Sequence, residues 1–364
     1  MRVIVVGAGI VGYAVAYELA ARGAQVRVID RRGTGRGATH ASAGMLAPYI
    51  EGHAAPLLQL GVCSLEQYEG FVRRIAGEGR RAVEYRHNGT LQVARDESEV
   101  RPLERLAGTL REAGVSHSWL DAGGTRRLEP ALGDGVQAGL VVPLHGYVGV
   151  ATLMAALVDA ATSHGVTCSI RNAYAIASAN GAPSVETDTE TLTADAVIVA
   201  AGCWSGGITM KQGPAPPVRP IRGQLVHLRL EEPPVSRVIW GGSAYLVPWQ
   251  DGSVLVGATV EDVGFDERVT SGGVRQLRDS AEQLVPALRS ATFVEARAGL
   301  RPRTADELPI IGPSSTMRGV YYATGHYRNG VLLAPLTATM IADLLIDGRE
   351  RREAHLVRPD RFGL

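Results

Sequence analysis

Cysteine is scarce. Three occur in 364 residues, Cys63, Cys168 and Cys203, with no CxxC pair and no metal-ligand spacing. That excludes a disulfide scaffold and a cysteine-built metal centre, and it fits a reduced, cytoplasmic setting. Neither sign of charge is in excess: Lys+Arg 37 stands against Asp+Glu 37. No basic field therefore draws the chain to nucleic acid or to an anionic membrane. Long apolar runs are missing too. The most apolar stretches, 194–201 and 331–346, are too short or too interrupted for the roughly 20 residues that span a bilayer. A strand pattern that begins at Arg2 leaves no room for a leader peptide. Repeats and low-complexity tracts are absent. A hydrophobic content of 45% with 20% charged residues indicates a globular protein, long enough for two domains.

Glycine, by contrast, is plentiful, at 44 residues, so a lone GxGxxG would carry little weight. Its context decides. Residues 3–6 form a short apolar run suited to a buried parallel strand. Gly7-Ala8-Gly9-Ile10-Val11-Gly12 follows at once, then a helical stretch with Ala14, Ala16, Leu19 and Ala20, then a second strand over 26–29 that ends on Asp30. In such a βαβ unit Gly7 permits the tight turn, Gly9 lets the backbone approach a pyrophosphate, and Gly12 lets the helix pack on the strand. The helix N-terminus offers free N–H groups to phosphates. Asp30, about 20 residues on, is placed to accept from ribose hydroxyls. The motif does not choose between NAD and FAD. No second GxGxxG occurs, which argues that the substrate itself is the reductant.

The remaining pattern alternates. A glycine-rich loop runs over 33–44, where many N–H groups can meet a ligand or simply form a surface connection. Helices are expected over 57–76, 101–132 and 151–163, and strands over 89–94, 185–189 and 196–200. Apolar–polar alternation over 223–260 predicts an antiparallel sheet. A strand at 319–323, a glycine-bearing turn at 326–331 and a helix over 332–346 close the chain. The fold class is α/β: a Rossmann-like unit interleaved with an antiparallel-sheet (α+β) domain.

Three segments read as site walls: 244–248 with Tyr245, 299–302 with Arg301, and 323–330 with His326, Tyr327, Arg328 and Asn329. Arg301 lies between Leu300 and Pro302, an odd place for a solvated charge. It is suited to a carboxylate held by two donors, or else to a structural ion pair. Tyr245 is a further donor for that carboxylate or a core aromatic. His326 is left out of the catalytic set, since a lone turn histidine is more often structural.

The segments GAGIVG (7–12), ASAGML (41–46), VIVAAGCWS (197–205), YLVP (245–248), VGAT (256–259), GLRP (299–302), LPIIG (308–312) and ATGHYRNGVLLAP (323–335) resemble the FAD-dependent amino acid oxidases of the D-amino acid oxidase superfamily. Within it the likeness is strongest to the glycine oxidases of thiamine biosynthesis. The resemblance implies an FAD-binding domain, over 1–82, 145–220 and 298–364, and a substrate-binding domain, over 83–144 and 221–297. By matching position it implies that Arg301 binds the substrate carboxylate with help from Tyr245. Arg328 would hold the amine by its backbone carbonyl and gate the pocket with its side chain. The cofactor set would be Gly7, Gly9, Ile10, Val11 and Gly12 at the first turn. Asp30 and Arg31 would lie at the adenosine ribose. Thr39, Ala43, Gly44 and Met45 would lie along the pyrophosphate and ring, and Tyr174 at the adenine. Tyr327, Arg328, Asn329, Gly330, Val331, Leu332 and Leu333 would wrap the flavin. Val260 and Ser243 depart from the family pattern, so side-chain preference stays open.

The chemistry so implied is oxidative deamination of glycine or a small amino acid. A hydride passes from Cα to FAD N5, giving an oxoacid, ammonia and hydrogen peroxide. The alternative is a sarcosine or D-amino acid oxidase or dehydrogenase with another acceptor. Monomeric sarcosine oxidases attach flavin to a late cysteine. None follows Cys203 here, so the FAD is expected to be non-covalent. The expected partners are a small amino acid, oxygen and further copies of the chain in a homo-oligomer, with no nucleic acid, membrane or metal.

Overall fold

The computed structural model describes residues 1–50, 54–179, 181–242 and 244–364. Its first organising element is a six-stranded sheet in the order Ile310–Pro313, Val320–Thr324, Ala196–Val199, Arg2–Val6, Gln25–Asp30, Thr167–Ile170. All neighbours in it are parallel except the Ile310–Pro313 edge. Side chains alternate across a strand, and both faces here are covered. Val3, Val5, Val26 and Val28 face a layer of helices: Ile10–Ala21, Ala55–Glu78, Val150–Ser163 and Gly330–Ile346. Tyr17, Leu60, Ile75, Leu157 and Ile341 from that layer are almost fully buried. Each such side chain contributes roughly 1.5–3 kcal/mol. Ile4, Val6 and Ile29 face the other way, onto a four-stranded sheet through Ile176, Val185 and Leu192. Burial on both faces explains why these strands read as continuous apolar runs.

The second organising element is an eight-stranded sheet in the order Thr292–Arg303, Arg219–Arg229, Ser253–Gly257, Ala244–Pro248, Val238–Gly241, Thr90–Ala94, Ala138–Val142, Ser118–Asp121. Every pairing in it is antiparallel except that of Val238–Gly241 with Thr90–Ala94. Alternation again sorts the faces. Val226, Leu246, Val254 and Val256 pack with Leu277 and Leu284 of the helix Ser271–Leu284. Leu225, Val238, Val247 and Leu255, with Tyr245 beside them, pack on the opposite face toward Ala43 and Met45. That second face is turned to the cleft described below.

Three expectations need correction. Residues 101–132 are not continuous amphipathic helix. The helix Glu97–Glu112 stops just before Gly114, whose φ of +68° leaves helical space. Ser118–Asp121 then pairs with Ala138–Val142 as an edge strand, and only Ala122–Leu128 returns to helix. The closing helix begins at Gly330 rather than 332, so the last glycine of the expected turn is its first residue. The expected strand over 185–189 is Ala182–Thr187, set by its hairpin with Ala173–Ala179. The other elements lie within a few residues of expectation. Ser243 lies outside the described residues.

Candidate active site

A cleft of about 570 Å³ lies between the two large sheets. A volume of that order suits a bound small molecule. One arm begins at the first turn. Gly7 has φ +118°, and a Cβ there would stand 2.3 Å from the Ala200 carbonyl oxygen. A Cβ on Gly12 would stand 2.0 Å from the Gly7 oxygen, so Gly12 packs behind the turn and does not line the cleft. Gly9 differs: its nearest neighbour would be Thr39 Oγ1 at 3.3 Å, and its open side belongs to the cleft. The Thr39 hydroxyl accepts from Ile10 N–H at 3.0 Å, which satisfies one of the helix's free donors. Ile10 and Val11 line the cleft beside it.

Asp30 has more to do than wait for a ribose. Its carboxylate accepts from the N–H groups of Ala8 (2.9 Å), Arg32 (2.7 Å) and Gly33 (3.1 Å). A carboxylate has about four acceptor positions, so about one remains for a ligand. Arg31 and Tyr174 stand on the same arm, Tyr174 half exposed. Gly44 has φ +73°, and a Cβ there would lie 1.9 Å from Val148 O. Val148 N–H in turn donates to Gly44 O at 2.9 Å. This pins Ala43 and Met45 on the floor of the cleft.

The other arm holds the three wall segments. Arg301 extends across Gly223 of the adjacent strand, where a Cβ would stand 2.1 Å from Nη2. Its Nη1 donates to Thr259 O (2.9 Å) and, more weakly, to Arg222 O (3.4 Å). Among the described residues no carboxylate lies within 4.0 Å of it, which removes the structural ion pair as its explanation. Tyr245 stands beside Trp240, ring centroids 5.2 Å apart, with its hydroxyl over Gly257. The turn carrying Tyr327 is stapled to Arg301's strand: Tyr327 N–H donates to Pro302 O at 2.8 Å, and Arg303 bridges His326. Tyr327 holds φ +45°, an uncommon value for a bulky residue and one that clusters at functional sites. The exposed Arg328 guanidinium lies 5.0 Å from the Tyr327 ring centroid. Asn329, Gly330, Val331 and Leu332 continue the wall. Leu333 does not; it is buried in the core behind.

His326 is no acid or base. Its ring is buried against Thr337 Oγ1 (2.9 Å), and burial pushes its pKa down to about 3. His145, beside Thr90, is lowered to about 3 by the same cause. An unfolded imidazole titrates near about 6.5. Between that value and the folded one, the unfolded chain takes up protons that the folded chain refuses. Stability is therefore lost as pH falls through that window, by up to about 1.4 kcal/mol per pH unit for each ring. We expect Tm to fall from pH 6.5 toward 4 and His326→Gln to flatten that fall. Equal slopes for variant and parent would refute the assignment.

Sequence reasoning missed Trp204, Trp240 and Arg32, all on the cleft wall. The only signal for Trp240 was its pairing register opposite Tyr245, which the sheet alone reveals. Among the described residues no helix is long and apolar enough to cross a membrane, and no group of three or more His, Cys, Asp or Glu could hold a metal ion.

Residues 2–344 match the DAO family, described as FAD dependent oxidoreductase. The chain belongs to this family. The DAO-family chain is 33% identical over 355 residues to a glycine oxidase of Geobacillus kaustophilus, covering 96% of this chain and 93% of that one. The solved structure of glycine oxidase from that organism superposes with TM-score 0.92 at 32% identity, covering 96% of each chain. Iminodiacetate oxidase from Chelativorans sp. BNC1 superposes with TM-score 0.91 at 29% identity, covering 98% of this chain and 99% of that one. A bifunctional ThiO/ThiG protein of Synechocystis is 34% identical over 369 residues; the match takes in 99% of this chain and 54% of the longer protein. FAD fits the residues of this oxidoreductase. Gly9 with its open side, the helix N-terminus at Ile10 and the cation Arg31 line one arm of the cleft, a lining whose donors and charge suit an anionic dinucleotide.

Proposed function

We propose that the chain oxidises a small amino acid, glycine or a close analogue, at Cα. The observation that carries this reading is Arg301, a part-buried guanidinium at the cleft held, among the described residues, by backbone carbonyls. Such a group is ready for a carboxylate from outside. Tyr245 adds a hydroxyl donor on the same arm. The turn at Arg328 offers a backbone carbonyl to the amine, and its side chain covers the mouth. When bound, FAD supplies the two-electron acceptor, taking hydride from Cα and passing the electrons to oxygen to give hydrogen peroxide. The chain's contribution is orientation. Asp30 is the carboxylate on the described cleft wall and is tied to the backbone of the nucleotide arm, while His326 borders the cleft with its ring buried against Thr337. The amine therefore gives its proton to water before it reacts, and the imine product adds water to yield an oxoacid and ammonia.

The cofactor is held without a covalent bond in this reading. Cys203 lines the cleft, but burial pushes its thiol up to about 12, so it stays protonated. The same reading divides the chain between the two large sheets, as the resemblance implied, and includes self-association into a homo-oligomer in the cytoplasm. A second reading, a sarcosine or other secondary-amine oxidase or dehydrogenase, draws support from the likeness to a protein named iminodiacetate oxidase.

An oxygen electrode decides among these. Glycine, sarcosine, both alanine enantiomers, proline and iminodiacetate are offered in turn, with flavin absorbance followed anaerobically in parallel. Oxygen uptake with glycine or alanine supports the first reading, and uptake confined to the secondary amines the second. Bleaching without uptake identifies a dehydrogenase. No bleaching with any of them overturns amine oxidation.

A further inference from the structure

Residues 258–270, between the strand Ser253–Gly257 and the helix Ser271–Leu284, carry the eight-stranded sheet over to the nucleotide arm. This loop is wound around a buried cation. Arg222, only 4% exposed, pairs with Glu261 and with Asp266 (3.1 Å), and donates to Arg268 O (3.1 Å). Gln224 adds bonds to Glu261 Oε1 (2.7 Å) and from Thr270 N–H (2.7 Å). So anchored, the loop presents its tip in a fixed place. There Glu267 pairs with Arg32 at 2.7 Å, and the Phe265 ring lies 6.2 Å from that of Trp204.

Trp204 is the meeting point. The Arg31 and Arg32 guanidiniums lie 4.6 and 4.1 Å from its ring centroid, within range for cation–π attraction. All three side chains line the cleft beside Asp30. Among the described residues Arg31 has no carboxylate partner within 4.0 Å, so the indole is the neighbour that holds it. The glycine-rich loop closes on the same group: a Cβ on Gly37 would stand 3.1 Å from Arg32 Nη2 and 3.4 Å from Trp204. Phe265 is 55% exposed, a position that burial in a core does not explain.

We infer that the loop tip, Phe265 and Glu267, is a sheet-side buttress of the cofactor site. It braces Trp204 and Arg32 so that the guanidinium pair stays aimed at the anionic dinucleotide. These are positioning residues for FAD, not catalytic ones. The inference rests on the family's cofactor and is independent of which amine is oxidised.

The test is FAD release. Holoprotein is diluted, and the return of free-flavin fluorescence gives a dissociation rate, with no substrate present. Phe265→Ala and Glu267→Gln are each expected to speed release about 10-fold, and Trp204→Ala at least as much, since ordering a site in advance lowers the cost of binding. Trp204→Phe keeps a π face and is expected to recover part of the loss. Melting of apo and holo forms separates positioning from mere structure. Positioning shrinks the gap between the two Tm values, whereas a structural role lowers both equally. Unchanged release in Phe265→Ala and Glu267→Gln, or equal lowering of both Tm values, overturns the proposal. Absence of amine oxidation in the electrode experiment would leave this result unaffected.

Discussion

Arg301→Ala is expected to raise KM for the amino acid about 100-fold, with flavin still bound as purified. The magnitude follows from the charge-assisted hydrogen bonds that the truncation removes. Truncating one partner of a hydrogen-bonded charge pair costs about 2–5 kcal/mol, and every 1.4 kcal/mol is about tenfold. Flavin is expected to stay because the Arg301 guanidinium bonds to Thr259 O and Arg222 O on the sheet side of the cleft, away from the nucleotide arm. Arg301→Lys separates charge from geometry. A lysine keeps the positive charge but offers a point instead of a planar fork, so an intermediate rise of about tenfold is expected. The rate at saturating substrate also falls in Arg301→Ala, since the carboxylate no longer fixes Cα against the ring. Steady-state kinetics on flavin-matched samples measure all three. A KM within twofold of the parent would remove Arg301 from the role.

The legible parts of this chain share one property: local sequence determines them. The first βαβ unit could be read because strand, glycine turn, helix and Asp30 are contiguous, and the register of Arg2–Val6 against Gln25–Asp30 bears out that order. The sheet over 223–260 was visible from alternation alone. What sequence hid depends on partners far away in the chain. Ser118–Asp121 looks like part of a charged helix until Ala138–Val142 lies beside it. Trp204 follows a buried strand with nothing local to mark its role; Arg31, Arg32 and Phe265 converge on it from two other segments. Arg301 is the instructive middle case. Its flanking Leu300 and Pro302 marked it as unusual, but sequence left carboxylate binding and a structural ion pair open. Only the absence of a described acid within reach removes the ion pair. The three acceptor bonds of Asp30 show a further limit: a motif residue carries the family's role and a local structural one together, and spacing cannot separate them.

Gly12→Val is expected to abolish FAD binding and to destabilise the fold by about 3 kcal/mol or more, at the upper end of what overpacking costs. One distance is decisive. A Cβ at this position would stand 2.0 Å from the Gly7 carbonyl oxygen and 3.4 Å from Ala200 Cβ. The obstructing atom is backbone, in a turn whose own glycine has no room for a Cβ, which would stand 2.3 Å from Ala200 O, so neither side can yield by a rotamer change. The helix Ile10–Ala21 must move off the sheet instead. That movement pulls the Ile10 N–H away from the Thr39 hydroxyl it donates to, and with it the N-terminus that faces the phosphates. It also disturbs the buried packing of Tyr17 and Leu19 behind the turn. Gly9→Ala makes the informative comparison. A methyl group there meets only Thr39 Oγ1, at 3.3 Å, so the apoprotein is expected to melt near the parent while FAD affinity falls, because the methyl group projects into the cleft. Flavin content, apo Tm and FAD titration of the three proteins measure this directly. If Gly12→Val purified yellow with an unchanged Tm, the turn would not be the close-packed junction described here.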